Sequence, residues 1–206
     1  MKARIESLGC LMLLLIGVSL TVLSPQSANA QGRSRDRDRD RDRGTREVYT
    51  GTIYYFGGPR GSVSTTFTLN IDSLSPDSEV QRFVETLQRD GQDGLLRVLG
   101  KEKRGTLQVG SSIGRDINAV WVTEEEEGRK ITILSERWLG FGELRRGARS
   151  VDYPFAYIEL FVDDQGKGEG TMIPAGRVRY KKGKTIEIEN FGIYPARLMG
   201  VRRRGR

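Results

Sequence analysis

The stretch that most constrains the fold is residues 155–162, which read FAYIELFV. Side chains alternate between the two faces of a strand. One face of this run would carry Ala156, Ile158, Leu160 and Val162, and the other would carry Phe155, Tyr157, Glu159 and Phe161. Because both faces are largely apolar, the run predicts a strand that is covered on both sides. The only strong helix pattern in the chain is the expected cover for the second face.

Other β-rich runs are arranged in pairs along the chain. Four hairpins are predicted, joining residues 48–56 with 63–71, 118–123 with 130–134, 155–162 with 169–173, and 178–181 with 185–189. Further strands are expected at 106–109 and 138–145, and residues 191–201 would close the domain. Pro174 cannot donate a sheet hydrogen bond, so it marks an edge, a bulge or a strand end.

One helical insertion, at about residues 76–99, interrupts the β pattern. Ser75 is expected to cap it, and Pro76 suits its first turn. Its apolar stripe follows the helical repeat at Val80, Phe83, Val84 and Leu87. Gly91 is expected to end this helix, and a shorter one would then run to Gly100.

These patterns predict a mainly β protein with about eight to ten antiparallel strands and the helical insertion. A small β-barrel with the helix over its mouth is the first choice, and a two-sheet β-sandwich is the second. The organisation is a single β-rich domain at residues 47–201, with other segments on either side.

The segments outside this domain have distinct compositions. Residues 1–30 have the basic start, apolar core and Ala28-Asn29-Ala30 cleavage site of a signal peptide, with the cut before Gln31. Residues 31–46 form an Arg/Asp-rich linker that we expect to be disordered. Residues 202–206 form a basic tail. With no cysteine beyond the leader, the pattern fits a secreted or periplasmic bacterial protein better than a small eukaryotic extracellular module.

Composition excludes several classes of chemistry. The chain has no histidine, and its single cysteine, Cys10, lies in the leader. Catalysis by Ser-His-Asp or Cys-His groups is therefore excluded, as are zinc sites built from cysteine or histidine. Residues 110–114 match G-x-S-x-G, but a nucleophile elbow also needs a histidine partner. No metal or cofactor is expected. The formal net charge of +7 favours anionic partners.

Glu159 is the residue that the pattern singles out, because it interrupts an otherwise apolar strand. A buried carboxylate needs a partner. The favoured interpretation is an arginine on a neighbouring strand, such as Arg177 or Arg179, and the alternative is a polar anchor in a ligand cavity. The candidate cavity residues are Tyr54, Tyr55, Trp121, Tyr157, Glu159 and Phe161.

Three functions remain open. The leading hypothesis is an exported, non-enzymatic β-domain that binds a small apolar ligand or an envelope partner, since a barrel mouth is a common ligand site. A carboxylate-dependent hydrolase or lyase is the second, pairing Glu159 with Glu143 or Asp163. The third is attachment to an anionic envelope polymer through the basic ends, with Arg202, Arg203, Arg204 and Arg206 as contacts. The sequence holds no specific nucleic-acid motif, and it leaves the oligomeric state open.

Overall fold

The computed structural model of the protein describes residues 46–58, 61–137, 149–181, 185–192 and 194–205. Ten strands, β1 to β10, have the bounds Glu47–Gly58, Gly61–Ile71, Gly105–Val109, Arg115–Ile117, Ala119–Glu125, Gly128–Glu136, Phe155–Val162, Lys167–Lys181, Thr185–Asn190 and Ala196–Arg203. One helix, α1, spans Asp77–Leu99 between β2 and β3, and a short 3-10 helix spans Arg149–Asp152. The predicted leader, the linker up to residue 45 and the predicted strand at 138–145 lie outside the described residues.

The strands form an antiparallel sheet that curls into a nearly closed barrel. The strand order is β4-β3-β2-β1-β10-β8-β7-β6-β5, and β9 pairs with β8 outside this path. The prediction of a mainly β fold with one helical insertion is confirmed, and nine strands build the barrel. The first and last long strands, β1 and β10, pair with each other. Strands that are far apart in sequence therefore meet at this junction.

The predicted hairpins recur with small differences at their ends. Pro174 lies within β8, which runs unbroken from Lys167 to Lys181. The pairing of β7 with β8 shifts between Phe155 and Tyr157, so the proline coincides with a bulge. Beyond the bulge, β8 pairs with β9. The sequence pattern missed β4, a strand of three residues.

The inner face of the barrel is a contiguous apolar core. On β7 the inward residues are Ile158, Leu160 and Val162, as the alternation predicted. Other strands contribute further buried side chains, including Tyr49, Ile53, Phe67, Leu69, Ile71, Ile117, Val120, Ile131, Ile133, Met172, Leu198 and Val201. Burying this apolar surface is the main favourable contribution to folding.

Helix α1 covers the outer face of the barrel wall. Phe83, Leu87, Leu95 and Leu99 pack against outward side chains of the strands, which include Ala119, Leu134, Phe155 and Val178. The predicted second cover of β7 is thus α1. The expected position over the barrel mouth is wrong, because the apolar stripe of α1 meets the outward face of the strands.

The predicted start, break and end of α1 can each be compared with the structure. Gly91 has φ 69° and ψ −165°, which breaks the helix where the sequence predicted a stop. Gly100 follows the last turn, as expected. Pro76 occupies the N-cap position without a side-chain cap. The Ser75 hydroxyl instead accepts a hydrogen bond from the backbone N–H of Val120 (3.3 Å), so its predicted capping role is wrong.

A single buried residue, Asn118, joins the two edges of the barrel wall. β4 ends at Ile117 and β5 begins at Ala119, so the chain itself crosses from one edge of the sheet to the other. The side-chain amide of Asn118 donates to the carbonyl of Glu102 (2.7 Å) and accepts from the backbone N–H of Glu136 (2.8 Å). This residue therefore links the loop before β3 to the end of β6. We call this place, where the edge strands β4 and β5 meet, the seam of the barrel.

Within the described ranges, no helix has the length and apolar character needed to cross a membrane.

Candidate functional site

A row of outward side chains crosses five strands of the barrel wall and contains Glu159. Starting on β6, each residue faces its register partner on the next strand, in the order Thr132, Glu159, Thr171, Arg197 and Tyr54. Neighbouring strands are about 4.8 Å apart, so the backbones of Glu159 and Arg197 are separated by about 10 Å. Thr171 stands between them. The sheet thus presents a carboxylate and a guanidinium side by side on one surface.

This part of the row is the floor of a groove. The groove has a volume of about 650 Å³ and is lined by Phe56, Glu159, Thr171, Tyr194, Pro195 and Arg197. Phe56 is 46 % exposed and Tyr194 is 61 % exposed, which is unusual for large aromatic side chains. Tyr194 and Pro195 belong to the segment just before β10. Two aromatic rings and a proline therefore stand around one acidic and one basic group.

The partner of Glu159 is a tyrosine on its own strand. The Tyr157 hydroxyl donates to Glu159 Oε1 at 2.7 Å. Burial, followed by this hydrogen bond, raises the pKa of Tyr157 far above its usual value, so the hydroxyl keeps its proton and remains a donor. Tyr157 also packs in the interface beneath α1. It fixes one carboxylate oxygen of a residue that lines the groove.

The predicted arginine partner of Glu159 is wrong. Arg177 lies 3.8 Å from Asp152 and its guanidinium carbon is 5.5 Å from the Tyr153 ring centroid. Arg179 lies 3.6 Å from Glu189. Antiparallel pairing puts Thr171 opposite Glu159. At about 3.3 Å per residue, Arg177 is about 20 Å further along β8.

The other candidate residues are distributed over both faces of the wall. Trp121 packs in the interface beneath α1. Tyr55 faces the barrel interior and packs against its core. Tyr54 faces outward beside Arg197, and Phe161 faces outward between Lys130 and Glu169. Of the six predicted residues, only Glu159 lines the groove, and Tyr157 is hydrogen-bonded to it.

The sequence pattern missed five lining residues, namely Phe56, Thr171, Tyr194, Pro195 and Arg197. Tyr194 and Pro195 belong to the segment 191–201 that the sequence predicts to close the domain. Its proximity to Glu159 follows from the pairing of β10 with β8, which joins residues about 25 positions apart. No local signal encodes that pairing.

A separate polar cluster spans one end of the barrel. Arg129 on β6 donates to Glu47 on β1 (2.8 Å) and contacts the Tyr49 hydroxyl, although β1 and β6 are not neighbours in the sheet. The Tyr49 hydroxyl donates to Glu47 at 2.8 Å. Burial, together with the adjacent Glu47, raises the pKa of Tyr49 to about 12. This cluster is satisfied internally and closes that end.

The predicted basic contacts lie at the same end. Arg202 and Arg203 belong to β10, where Arg202 is opposite Lys167 and Arg203 is opposite Tyr49. The backbone N–H of Arg204 donates to the carbonyl of Val48 at 2.8 Å. Arg203 also lies 3.6 Å from Glu47. Arg206 lies outside the described residues.

The geometry offers little to the carboxylate-pair hypothesis. Asp163 follows β7 and accepts the backbone N–H of Lys167 in the hairpin turn (2.8 Å). It is four strand residues from Glu159, or about 13 Å, whereas the carboxyl groups of glycosidases are about 5–9.5 Å apart. Glu143 lies outside the described residues. In the described part of the chain, no three acidic side chains are grouped closely enough to hold a metal ion.

Comparisons of the chain with protein families, with curated proteins and with solved structures found no match.

Proposed function

We propose that this protein is an exported, non-enzymatic β-barrel domain that binds a small ligand in the groove beside Glu159. The observation that carries the proposal is the groove itself, with its exposed Phe56 and Tyr194 next to Glu159 and Arg197. Ligand sites are typically concavities of about 300–1,000 Å³ in which apolar and aromatic walls surround a few polar groups. The volume of about 650 Å³ and the lining fit that description.

The groove is bordered by two exposed aromatic side chains, Phe56 and Tyr194. Single apolar residues on a surface are ordinary, but a group rimmed by polar residues marks an interaction site. Phe56 on β1 and Tyr194 before β10 meet at one groove although they are far apart in sequence. The barrel interior, by contrast, is occupied by packed apolar side chains. The outer groove therefore replaces the barrel mouth as the proposed ligand site.

The test is native mass spectrometry of the protein purified from the exported fraction of its host. A reproducible adduct that disappears on denaturation is expected, and its mass identifies the ligand. The double variant Phe56→Ala with Tyr194→Ala should lose most of the adduct. The matched control is Ile186→Ala on β9, which removes a side chain that is also exposed, at 41 %. Ligand binding in the groove is refuted if the native spectrum shows only the mass of the protein chain. It is also refuted if the double variant retains the adduct in full.

Export is part of the same proposal and rests on residues 1–30, with their basic start, apolar core and A-x-A site. The denatured mass of the exported protein should correspond to a chain that begins at Gln31. Recovery of the protein only in the cytoplasm, with the leader intact, contradicts this.

A second candidate function is attachment to an anionic, phosphate-bearing envelope polymer, and the pairing of β1 with β10 favours it. This pairing places Arg46, immediately before β1, and Arg204, after β10, at one end of the barrel. In the sequence, the Arg/Asp repeat at residues 35–43 comes shortly before Arg46. Arg202 and Lys167 face outward there as register partners. Basic side chains from both ends of the described chain are thus close together at this end of the barrel.

Binding to immobilised polyphosphate at several salt concentrations tests this second function. Contacts between basic side chains and phosphates weaken with salt, and each lost contact lowers the slope of log affinity against log salt by about 1. The double variant Arg202→Gln with Arg204→Gln should bind more weakly, with a slope reduced by about 2. The control removes the same charge at the end of α1, in Arg97→Gln with Lys101→Gln. Equal weakening by both double variants indicates only a general charge effect and refutes the assigned surface.

A further inference from the structure

We infer that the groove recognises a short zwitterion, an amino acid or dipeptide with an apolar side chain, through Glu159 at one end and Arg197 at the other. The inference rests on the proposed function, because the same groove holds the ligand. It goes further by assigning a separate ligand charge to each end.

At one end of the groove, Glu159 can accept a hydrogen bond from the ligand. The Tyr157 hydroxyl fixes Glu159 Oε1 at 2.7 Å. Glu159 Oε2 makes no hydrogen bond to any residue that the structure describes. A carboxylate accepts hydrogen bonds and an ammonium group only donates them. The free oxygen, on a side chain held in place by Tyr157, therefore suits a ligand ammonium group.

At the other end of the groove, the Arg197 guanidinium group can donate hydrogen bonds to the ligand. Among the described residues, no carboxylate lies within ion-pairing distance of Arg197, which is exposed on β10. Glu159 does not neutralise it, since Thr171 stands between them in the register. An arginine presents a planar fork of donors that matches a carboxylate. Arg197 therefore suits the ligand's anionic group.

The separation between the two groups limits the ligand's length. The backbones of Glu159 and Arg197 are about 10 Å apart across two strand spacings. Side chains stand roughly perpendicular to a sheet, so the two charged groups are separated by a similar distance, and a hydrogen bond of about 2.8 Å at each end occupies part of it. A peptide spans at most about 3.5 Å per residue. One or two residues therefore fit between the charges, and Phe56 and Tyr194 are placed to contact an apolar side chain.

Three matched probes separate the two charges: glycyl-phenylalanine, its N-acetyl derivative, which has only the carboxylate, and its C-terminal amide, which has only the ammonium. Their dissociation constants are measured by amide chemical-shift titration of the exported protein. We expect the zwitterion to bind about tenfold more tightly than either blocked form, because each loses one charge-assisted hydrogen bond.

Two charge-removing variants assign each contact. Glu159→Gln should make glycyl-phenylalanine and its N-acetyl derivative bind equally, whereas Arg197→Gln should equalise glycyl-phenylalanine and its amide. The controls are Glu169→Gln on β8 and Arg97→Gln in the last turn of α1, which change the same charges outside the groove. Both controls should leave the ranking of the three probes unchanged.

Equal binding of all three probes to the wild-type protein overturns the zwitterion inference but leaves groove binding intact. A ranking that Glu159→Gln and Arg197→Gln do not alter also overturns it. Absence of binding by all three probes overturns it too, and the native mass spectrum then decides groove binding by itself.

Discussion

Replacing Asn118 with alanine should destabilise the barrel because this side chain holds the seam together. It makes two hydrogen bonds to backbone groups, at 2.7 Å to the Glu102 carbonyl and 2.8 Å from the Glu136 N–H, and it is only 6 % exposed. Losing one partner of a buried hydrogen bond costs about 1–3 kcal/mol. Since Glu136 lies at the exposed end of β6, water can satisfy part of that loss. We therefore expect the free energy of unfolding to fall by about 2–4 kcal/mol.

Urea unfolding followed by tryptophan fluorescence measures this change. With a slope of about 2 kcal/mol per molar urea, the midpoint of Asn118→Ala should fall by about 1–2 M. Asn118→Asp keeps the acceptor for Glu136 but sets a buried carboxylate oxygen against the Glu102 carbonyl oxygen, so its midpoint should fall at least as far as that of Asn118→Ala. The matched control is Asn70→Ala, which removes one hydrogen bond to Thr106 (3.2 Å) on the outer face. If Asn118→Ala costs no more than Asn70→Ala, the seam argument is refuted.

Three further predictions concern Tyr49, Gly91 and Leu95. Because the pKa of Tyr49 is raised from 10.0 to about 12, its stabilising contribution is complete below pH 10 and is lost as the pH rises through 12. Urea unfolding between pH 9 and 12 should therefore show a loss that Tyr49→Phe reduces by up to about 3 kcal/mol and that Tyr194→Phe leaves unchanged. The raised pKa of Tyr157 accounts for part of the loss that remains in Tyr49→Phe. Gly91→Ala should destabilise by about 1–3 kcal/mol, because φ 69° with ψ −165° is strained for alanine; stabilisation in thermal unfolding would mean that α1 is continuous. Leu95→Ala should cost about 2–5 kcal/mol in urea unfolding, because this side chain lies on the buried face of α1 and is only 2 % exposed. A loss below about 1 kcal/mol would contradict the assigned helix packing.

The groove gives Tyr157 a role beyond packing. Its hydroxyl is the described partner of Glu159, and its ring lies in the interface beneath α1. The helix and the groove therefore share one side chain, placed between the helix-covered and the exposed parts of β7. Any shift of α1 that moves the Tyr157 ring also moves the hydroxyl that holds Glu159.

The sequence was sufficient wherever the determining contacts are local. The two faces of Phe155–Val162 follow from the period of two along a strand, and the structure places Ile158 inside and Tyr157 outside as that period requires. Hairpin partners are adjacent in the chain, so turn residues and alternation identified them. The break at Gly91 was also readable, because a positive φ favours glycine.

Tertiary structure decided the features that depend on distant strands. The pairing of β1 with β10 and of β10 with β8 brings Tyr54 and Arg197 onto the same outer surface as Glu159. The expected partner Arg177 was wrong for a local reason, because the register of the β7–β8 hairpin puts Thr171 opposite Glu159. Alternation says which face a side chain occupies, but it carries no information on which strand lies next to it. That choice depends on burying the apolar faces of the whole chain together, so the groove exists only in the folded barrel.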